Sequence, residues 1–123
     1  MRALVIDDSA AMRNIISRSL ATIGFDVVQA VHGRDGLDKL KAHGKPEVIL
    51  VDWNMPEMNG YEFIKAVRAI EEWRDIPLMM VTTETETSQV VRALAAGANE
   101  YLMKPFTPEM LGEKLAILGV TMS

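Results

Sequence analysis

Val48-Ile49-Leu50-Val51-Asp52-Trp53-Asn54-Met55-Pro56-Glu57-Met58-Asn59-Gly60 is the stretch from which the fold can be read. Its first four residues are aliphatic without a polar interruption. A half-buried strand alternates apolar and polar residues, whereas an unbroken apolar run of this length suits a strand covered on both faces, as in a parallel sheet between helices. Aspartate ends the run, and turn-forming Asn, Pro and Asn-Gly follow. Beyond the turn, Phe63, Val67 and Ile70, with Ile64 beside them, recur at helical spacing. Strand, loop and helix make one βα unit.

The same unit recurs in both directions along the chain. Further apolar runs occupy residues 3–6, 27–31, 78–81 and 101–103. Between them, Met12, Ile15, Ile16, Leu20 and Ile23 mark a helix with Ser9 as N-cap and Gly24 just past its end. Leu37 and Leu40 mark a second helix ending near Gly44. Val90, Val91, Leu94 and Ala98 mark a fourth, ending near Gly97, and Leu111, Leu115 and Leu118 a fifth. Thr107-Pro108 starts the fifth: a capping hydroxyl, then proline where its missing N–H costs nothing. Strands alternating with helices imply parallel pairing and right-handed crossovers. The expected fold is α/β, a (βα)5 flavodoxin-like doubly wound parallel sheet of strand order 2-1-3-4-5, with one domain filling residues 1–123.

Composition narrows the function. Of 123 residues, 49% are hydrophobic and 24% charged, which excludes a disordered, collagenous or coiled-coil chain. With no cysteine there is no disulfide framework, thiolate metal site or cysteine nucleophile. A net charge of −4 argues against sequence-independent nucleic-acid binding. No apolar run approaches a membrane span, and the N-terminus turns acidic after four apolar residues, unlike a signal peptide. A soluble, cytoplasmic protein without membrane insertion is expected.

Ligands of an open parallel sheet sit beyond the carboxyl ends of its strands, where strand order reverses. The residues ending strands one, three, four and five are Asp7-Asp8, Asp52, Thr82-Thr83 and Lys104-Pro105. Each alone is ordinary: an aspartate pair is a solvated turn and cap, Lys-Pro a loop. Together they put three carboxylates on one edge. Crowded carboxylates repel, and a divalent cation relieves them; Mg²⁺ takes hard oxygen ligands and usually one or two carboxylates. With a hydroxyl and an ammonium suited to phosphoryl oxygens, the set describes a phosphoryl-transfer site.

These residues resemble the receiver domain of bacterial two-component response regulators over essentially the whole chain, most closely the single-domain chemotaxis regulators. The matching stretches are Val5-Ile6-Asp7-Asp8-Ser9, Val51 through Gly60, Met80-Val81-Thr82, and Gly97 through Phe106. The run from Asp52 to Gly60 and Lys104-Pro105-Phe106 are the specific ones. The resemblance implies that Asp52 is the phosphoacceptor for a histidine kinase (CheA-like). It implies Mg²⁺ held by Asp8 and Asp52, by the Asn54 backbone carbonyl, and by Asp7 through water. Thr82 and Lys104 would contact phosphoryl oxygens, and the Lys104–Pro105 bond would be cis. Thr82 and Tyr101 would form the switch. Asn54 and Glu84 would tune dephosphorylation, with Thr83 a departure where relatives often carry alanine.

The resemblance further implies that the helix 4–strand 5–helix 5 surface, residues 86–96, Tyr101 and 107–118, is read by an output protein such as a flagellar motor switch component. A phosphatase is a further partner. A chain of this length would carry no output domain, act as a monomer, and catalyse only its own phosphorylation and dephosphorylation. A stand-alone receiver of a non-motility relay, or a phosphate sink, remains open. An aspartate-nucleophile phosphatase normally has a second aspartate two residues on, where this chain has Asn54, and a flavin module needs a hydroxyl- and glycine-rich loop where Asp7-Asp8 stands. Tyr101 serves equally as half-buried packing. Trp53 reads as a loop aromatic and a reporter of metal binding, the methionines as core filler. His32 and His43 lack ligand-spaced partners and read as surface residues.

Overall fold

The computed structural model describes residues 1–83 and 88–120. Strands β1 (Arg2–Ile6), β2 (Asp26–Ala30), β3 (Val48–Asp52), β4 (Leu78–Thr83) and β5 (Glu100–Lys104) alternate with helices α1 (Ala10–Ile23), α2 (Gly33–His43), α3 (Gly60–Ala69), α4 (Val90–Ala96) and α5 (Pro108–Ile117). A single 3-10 turn, Glu71–Trp73, separates α3 from β4. The sheet is parallel throughout and ordered β2-β1-β3-β4-β5, as expected. No helix among the described residues is long and apolar enough to cross a membrane.

Alternation along the strands divides the core in two. Leu4, Ile6, Ile49, Val51, Leu78 and Met80 face one side and pack with Leu40 of α2, Phe63, Ile64 and Val67 of α3, and Ala93 of α4. Their neighbours Ala3, Val5, Val48, Leu50, Met79 and Val81 face the other, with Ile16 and Leu20 of α1 and Leu111 and Leu115 of α5. This is why β1, β3 and β4 read as unbroken apolar runs: both sets are buried. The edge strands β2 and β5 are only partly covered. β2 ends one residue before the expected run, leaving Val31 exposed.

Capping follows the sequence closely. The side chains of Ser9, Asn59 and Thr107 accept from Met12, Glu62 and Met110 N–H groups at the starts of α1, α3 and α5. Glu62 returns the bond to the Asn59 N–H, closing a capping box. Gly24 takes φ 122° at the end of α1, a value that favours glycine.

One expectation fails on α4. Val91 and Leu94 are 72% and 41% exposed, and the residue buried against the sheet is Ala93. On this seven-residue helix Ala93 makes the close approach and Val90 and Ala96 pack partly against the same core, while Val91 and Leu94 stay outside. Ile15 of α1 is likewise 52% exposed, one position off the stripe set by Ile16 and Leu20.

At the edge where β4 and β5 begin, Arg68 of α3 acts as a staple. Its guanidinium donates to the carbonyls of Gly97, Trp73, Arg74 and Ile76 and to Asn99 Oδ1, at 2.8–3.1 Å. Asn99 Oδ1 also accepts from the Leu78 N–H. Burial lowers the Arg68 pKa from the ordinary arginine value, with Asp75 opposing the shift, yet arginine stays charged. Arg68→Ala strands several acceptors at once and is expected to cost about 2–3 kcal/mol in denaturant unfolding. Arg68→Lys should recover only part of that, because one ammonium cannot reproduce the fork; a loss under about 0.5 kcal/mol, the scale of an ordinary surface substitution, would contradict the staple.

Candidate functional site

Strand ends bring the expected residues together. Asp7 follows β1, Asp52 ends β3, Thr82 lies one residue from the end of β4, and Lys104 ends β5. The register sets Ile6 beside Val51, Asp52 beside Val81, and Thr83 beside Lys104, so all four positions lie on one edge. Asp7, Asp52 and Thr82 are the buried polar residues among those described, at 1%, 8% and 0% exposure. Carboxylate oxygens of Asp7, Asp8 and Asp52 lie within 4.8 Å of one another, with Asp8 on the open side.

Lys104 holds this cluster. Its Nζ is 3.2 Å from Asp7 Oδ2 and 3.1 Å from Asp52 Oδ1. Burial works to lower its pKa, but Asp52 and Asp7 outweigh burial, and the net shift is upward from the ordinary lysine value. The Lys104–Pro105 peptide bond is cis, as the resemblance implied.

Backbone and neighbouring side chains fix the carboxylates. Asp7 Oδ1 accepts from the Ser9 N–H at 2.9 Å, and the Asp7 N–H donates to the Ala30 carbonyl. Arg13 Nη1 donates to the Asp7 carbonyl at 2.7 Å, its Nε reaches Gln29 Oε1, and Gln29 in turn donates to Ser17. Sequence reasoning missed Arg13: it lies on α1 outside any motif, and its acceptor is a backbone carbonyl. On the other side, the Gly60 N–H donates to the Trp53 carbonyl at 2.9 Å. A Cβ on Gly60 would stand 2.5 Å from the Asp52 carbonyl oxygen, so only glycine lets α3 start against this strand.

The remaining expected residues fall around this centre. Asn54 is exposed in the loop after β3. Thr82 Oγ1 has a long, 3.4 Å contact to the Thr83 carbonyl. Tyr101 is half-buried against the core, with Lys114 Nζ 4.3 Å from its ring centroid. Glu84, and residues 86 and 87 of the expected output surface, lie outside the described residues. Trp53 is a loop residue but a buried one, 6% exposed, with its ring 5.9 Å from that of Tyr61. His43 is exposed as expected. His32 corrects its expectation: half-buried, it caps α2 through Nδ1 and sets Nε2 3.1 Å from Glu57 Oε2, a partner too distant in sequence for spacing to reveal.

The donor set suits a hard divalent cation: three carboxylates converging on an open edge, with one ammonium shared by two of them. Few other arrangements justify keeping like charges so close together.

A central parallel strand ending in a buried aspartate, clustered with two more and touched by lysine, defines a receiver. The chain belongs to the response regulator receiver domain family, whose model matches residues 3–116. It is 47% identical over 119 residues to chemotaxis protein CheY1 of Helicobacter pylori strain J99, covering 96% of each chain. It is 49% identical over 121 residues to the chemotaxis protein CheY homolog of Campylobacter jejuni strain 81-176, covering 97% of this chain and 93% of the relative. Among solved structures, chemotaxis protein CheY4 of Vibrio cholerae, crystallised at pH 4.0, superposes with a TM-score of 0.87 at 38% identity, covering 95% of this chain and 97% of the other. Receiver domains bind Mg²⁺ at an acidic aspartate cluster, and this chain has such a cluster in Asp7, Asp8 and Asp52.

Removing the ammonium takes away the cation that Asp7 and Asp52 share. Without metal, Lys104→Ala should lose about 3 kcal/mol of stability. Millimolar Mg²⁺ should restore much of that loss, since ligand at a hundredfold excess over Kd adds about 2.7 kcal/mol. The raised pKa fixes the sign of the pH dependence: the lysine's contribution is complete below about pH 10.4, the ordinary lysine value, and fades as pH rises through its folded value. Denaturant unfolding of both proteins with and without Mg²⁺, from pH 6 to 11, checks this; equal stability of the two without metal contradicts it.

Proposed function

We propose that this chain is a phosphorylation-controlled interaction switch of chemotaxis signalling, with Asp52 as phosphoacceptor. The observation that carries the proposal is the Asp52 carboxylate at the end of the central strand, within hydrogen-bond reach of Lys104 and clustered with Asp7 and Asp8. A carboxylate oxygen of Asp52 attacks the phosphorus carried by a kinase histidine; the P–N bond breaks and the imidazole leaves. Lys104, freed from one carboxylate as Asp52 becomes an acyl phosphate, pairs with a phosphoryl oxygen instead, so its charge stays matched throughout. The Thr82 hydroxyl, at the neighbouring strand end, supplies a donor to another oxygen. Mg²⁺ would be held by Asp8, Asp52 and the Asn54 carbonyl, with Asp7 acting through water, and would supply charge neutralisation.

The phosphoryl group changes the charge balance at the ends of β4 and β5, and Thr82 and Tyr101 transmit it. Asn54, with Glu84, sets how fast the phosphoryl group is lost. The surface that responds is α4–β5–α5. Its exposed apolar residues Val91, Leu94 and Met110 support that reading, since they offer a partner area that the folded chain does not use. The partners are a CheA-like histidine kinase, a phosphatase and an output protein such as a flagellar motor component; the likeness to chemotaxis proteins of three organisms supports this pathway. The protein works stoichiometrically, as a cytoplasmic monomer, rather than turning over a substrate.

Incubation with Mg²⁺ and acetyl phosphate should add one phosphoryl group by mass spectrometry. The adduct should be absent in Asp52→Ala and absent when chelator removes the metal. An adduct that persists in Asp52→Ala, or none in the wild type with any small phosphodonor, overturns the assignment.

A further inference from the structure

We infer that the groove between α3 and α4, which adjoins the α4–β5–α5 face along α4, is a docking site for an acidic segment of a protein partner. The groove has a volume of about 510 Å³ and is lined by Tyr61, Lys65 and Arg68 from α3 and by Arg92 from α4, with alanines between them. None of its lining residues is acidic, although the chain carries 17 acids against 13 bases.

Two of the cations are held ready for an anion. Lys65 Nζ lies 5.2 Å and Arg92 Cζ 4.7 Å from the centroid of the same Tyr61 ring. Like charges gathered on one ring repel each other, and among the described residues neither has a carboxylate within ion-pair distance; Arg92 donates only to Gln89 Oε1, at 3.2 Å. Lys39, Lys45, Lys104 and Lys114, by contrast, each sit on a carboxylate. Arg68 adds charge at one end of the groove, since its guanidinium donates to neutral carbonyls and an amide oxygen, although Asp75 lies near enough to offset part of it. Stacking on tyrosine orients the Arg92 guanidinium while leaving donors for a carboxylate.

The groove's form selects the occupant. It is open and has alanine walls, Ala69, Ala95 and Ala96, which let an extended backbone lie close while its carboxylates reach Lys65 and Arg92. Three cations on a chain of net charge −4 are too few to hold a nucleic acid. Arg92 Cζ is also 6.0 Å from the Trp53 ring centroid, so occupancy of the groove is felt beside Asp52.

The test is a titration of the ¹⁵N-labelled full chain with a short glutamate-rich peptide, without Mg²⁺ or phosphodonor, so that its outcome does not depend on Asp52 chemistry. Matched glutamine-rich and lysine-rich peptides and inorganic phosphate serve as comparisons. Saturable amide shifts should centre on residues 61–69 and 90–97 and include the Trp53 indole. They should weaken with salt, and K65E/R92E should bind at least about tenfold more weakly. An unchanged amide spectrum away from the groove shows that the variant folds, and K65Q/R92Q replaces it if it does not. No saturable shifts, shifts centred elsewhere, undiminished binding by the variant, or the same response to phosphate or to the other peptides overturns the inference.

Discussion

The ammonium of Lys104 lies within 3.2 Å of both Asp7 and Asp52, two carboxylates that are almost wholly buried. Neither acid could sit at the sheet edge so close to the other without a cation, because withdrawal from water costs an ion several kcal/mol and a neighbouring like charge adds to it. The lysine is 52 residues from one acid and 97 from the other in sequence. The parallel sheet, with β1 beside β3 and β5 two strands further on, closes those separations. Topology and charge balance are therefore one constraint. The sheet brings the acids together, and the lysine makes their meeting tolerable until a metal or a phosphoryl group changes the balance.

The surroundings of this contact are built for close approach and fixed position. Gly60 lets α3 begin against the backbone of Asp52, and the Asn59–Glu62 capping box sets where the helix starts. Arg13 and Ser9 hold Asp7 from the α1 side. In the proposed switch, a change in the charge of these fixed carboxylates is taken up by the ends of β4 and β5 and the short helix α4. That helix packs through the small side chain of Ala93, with Val90 and Ala96 partly buried beside it, and leaves Val91 and Leu94 outward. A helix seated on so little apolar surface is suited to shifting.

Much of this was legible in the sequence because strand ends are marked by composition. An unbroken aliphatic run ending in aspartate, or in threonine or lysine, states both the burial of the strand and the position of its functional end, and parallel topology assembles the rest. Capping was legible at Ser9 and Thr107 for a similar reason, since each acts on a residue three positions away, whereas Asn59 reads only as a turn former. Contacts made to backbone atoms or across long separations were not. Arg68 and Arg13 spend their guanidinium groups largely on carbonyls, which every residue has, so no pattern of side chains announces them. His32 meets Glu57 only because α2 and the loop after β3 converge on the same edge. On α4, Val91 and Leu94 mimic a core stripe that helical spacing alone cannot distinguish from an outward apolar face.

In the proposed switch, charge change at Asp52 propagates through the Lys104 and Thr82 strand ends to α4–β5–α5. Amide chemical shifts of the full chain, recorded before and after beryllofluoride is added with Mg²⁺, test it most directly. Shifts should begin at Asp7, Asp52, Thr82 and Lys104 and extend through Tyr101 to Val90–Ala96. Shifts confined to the loop after β3, with Tyr101 and α4 unmoved, would contradict it.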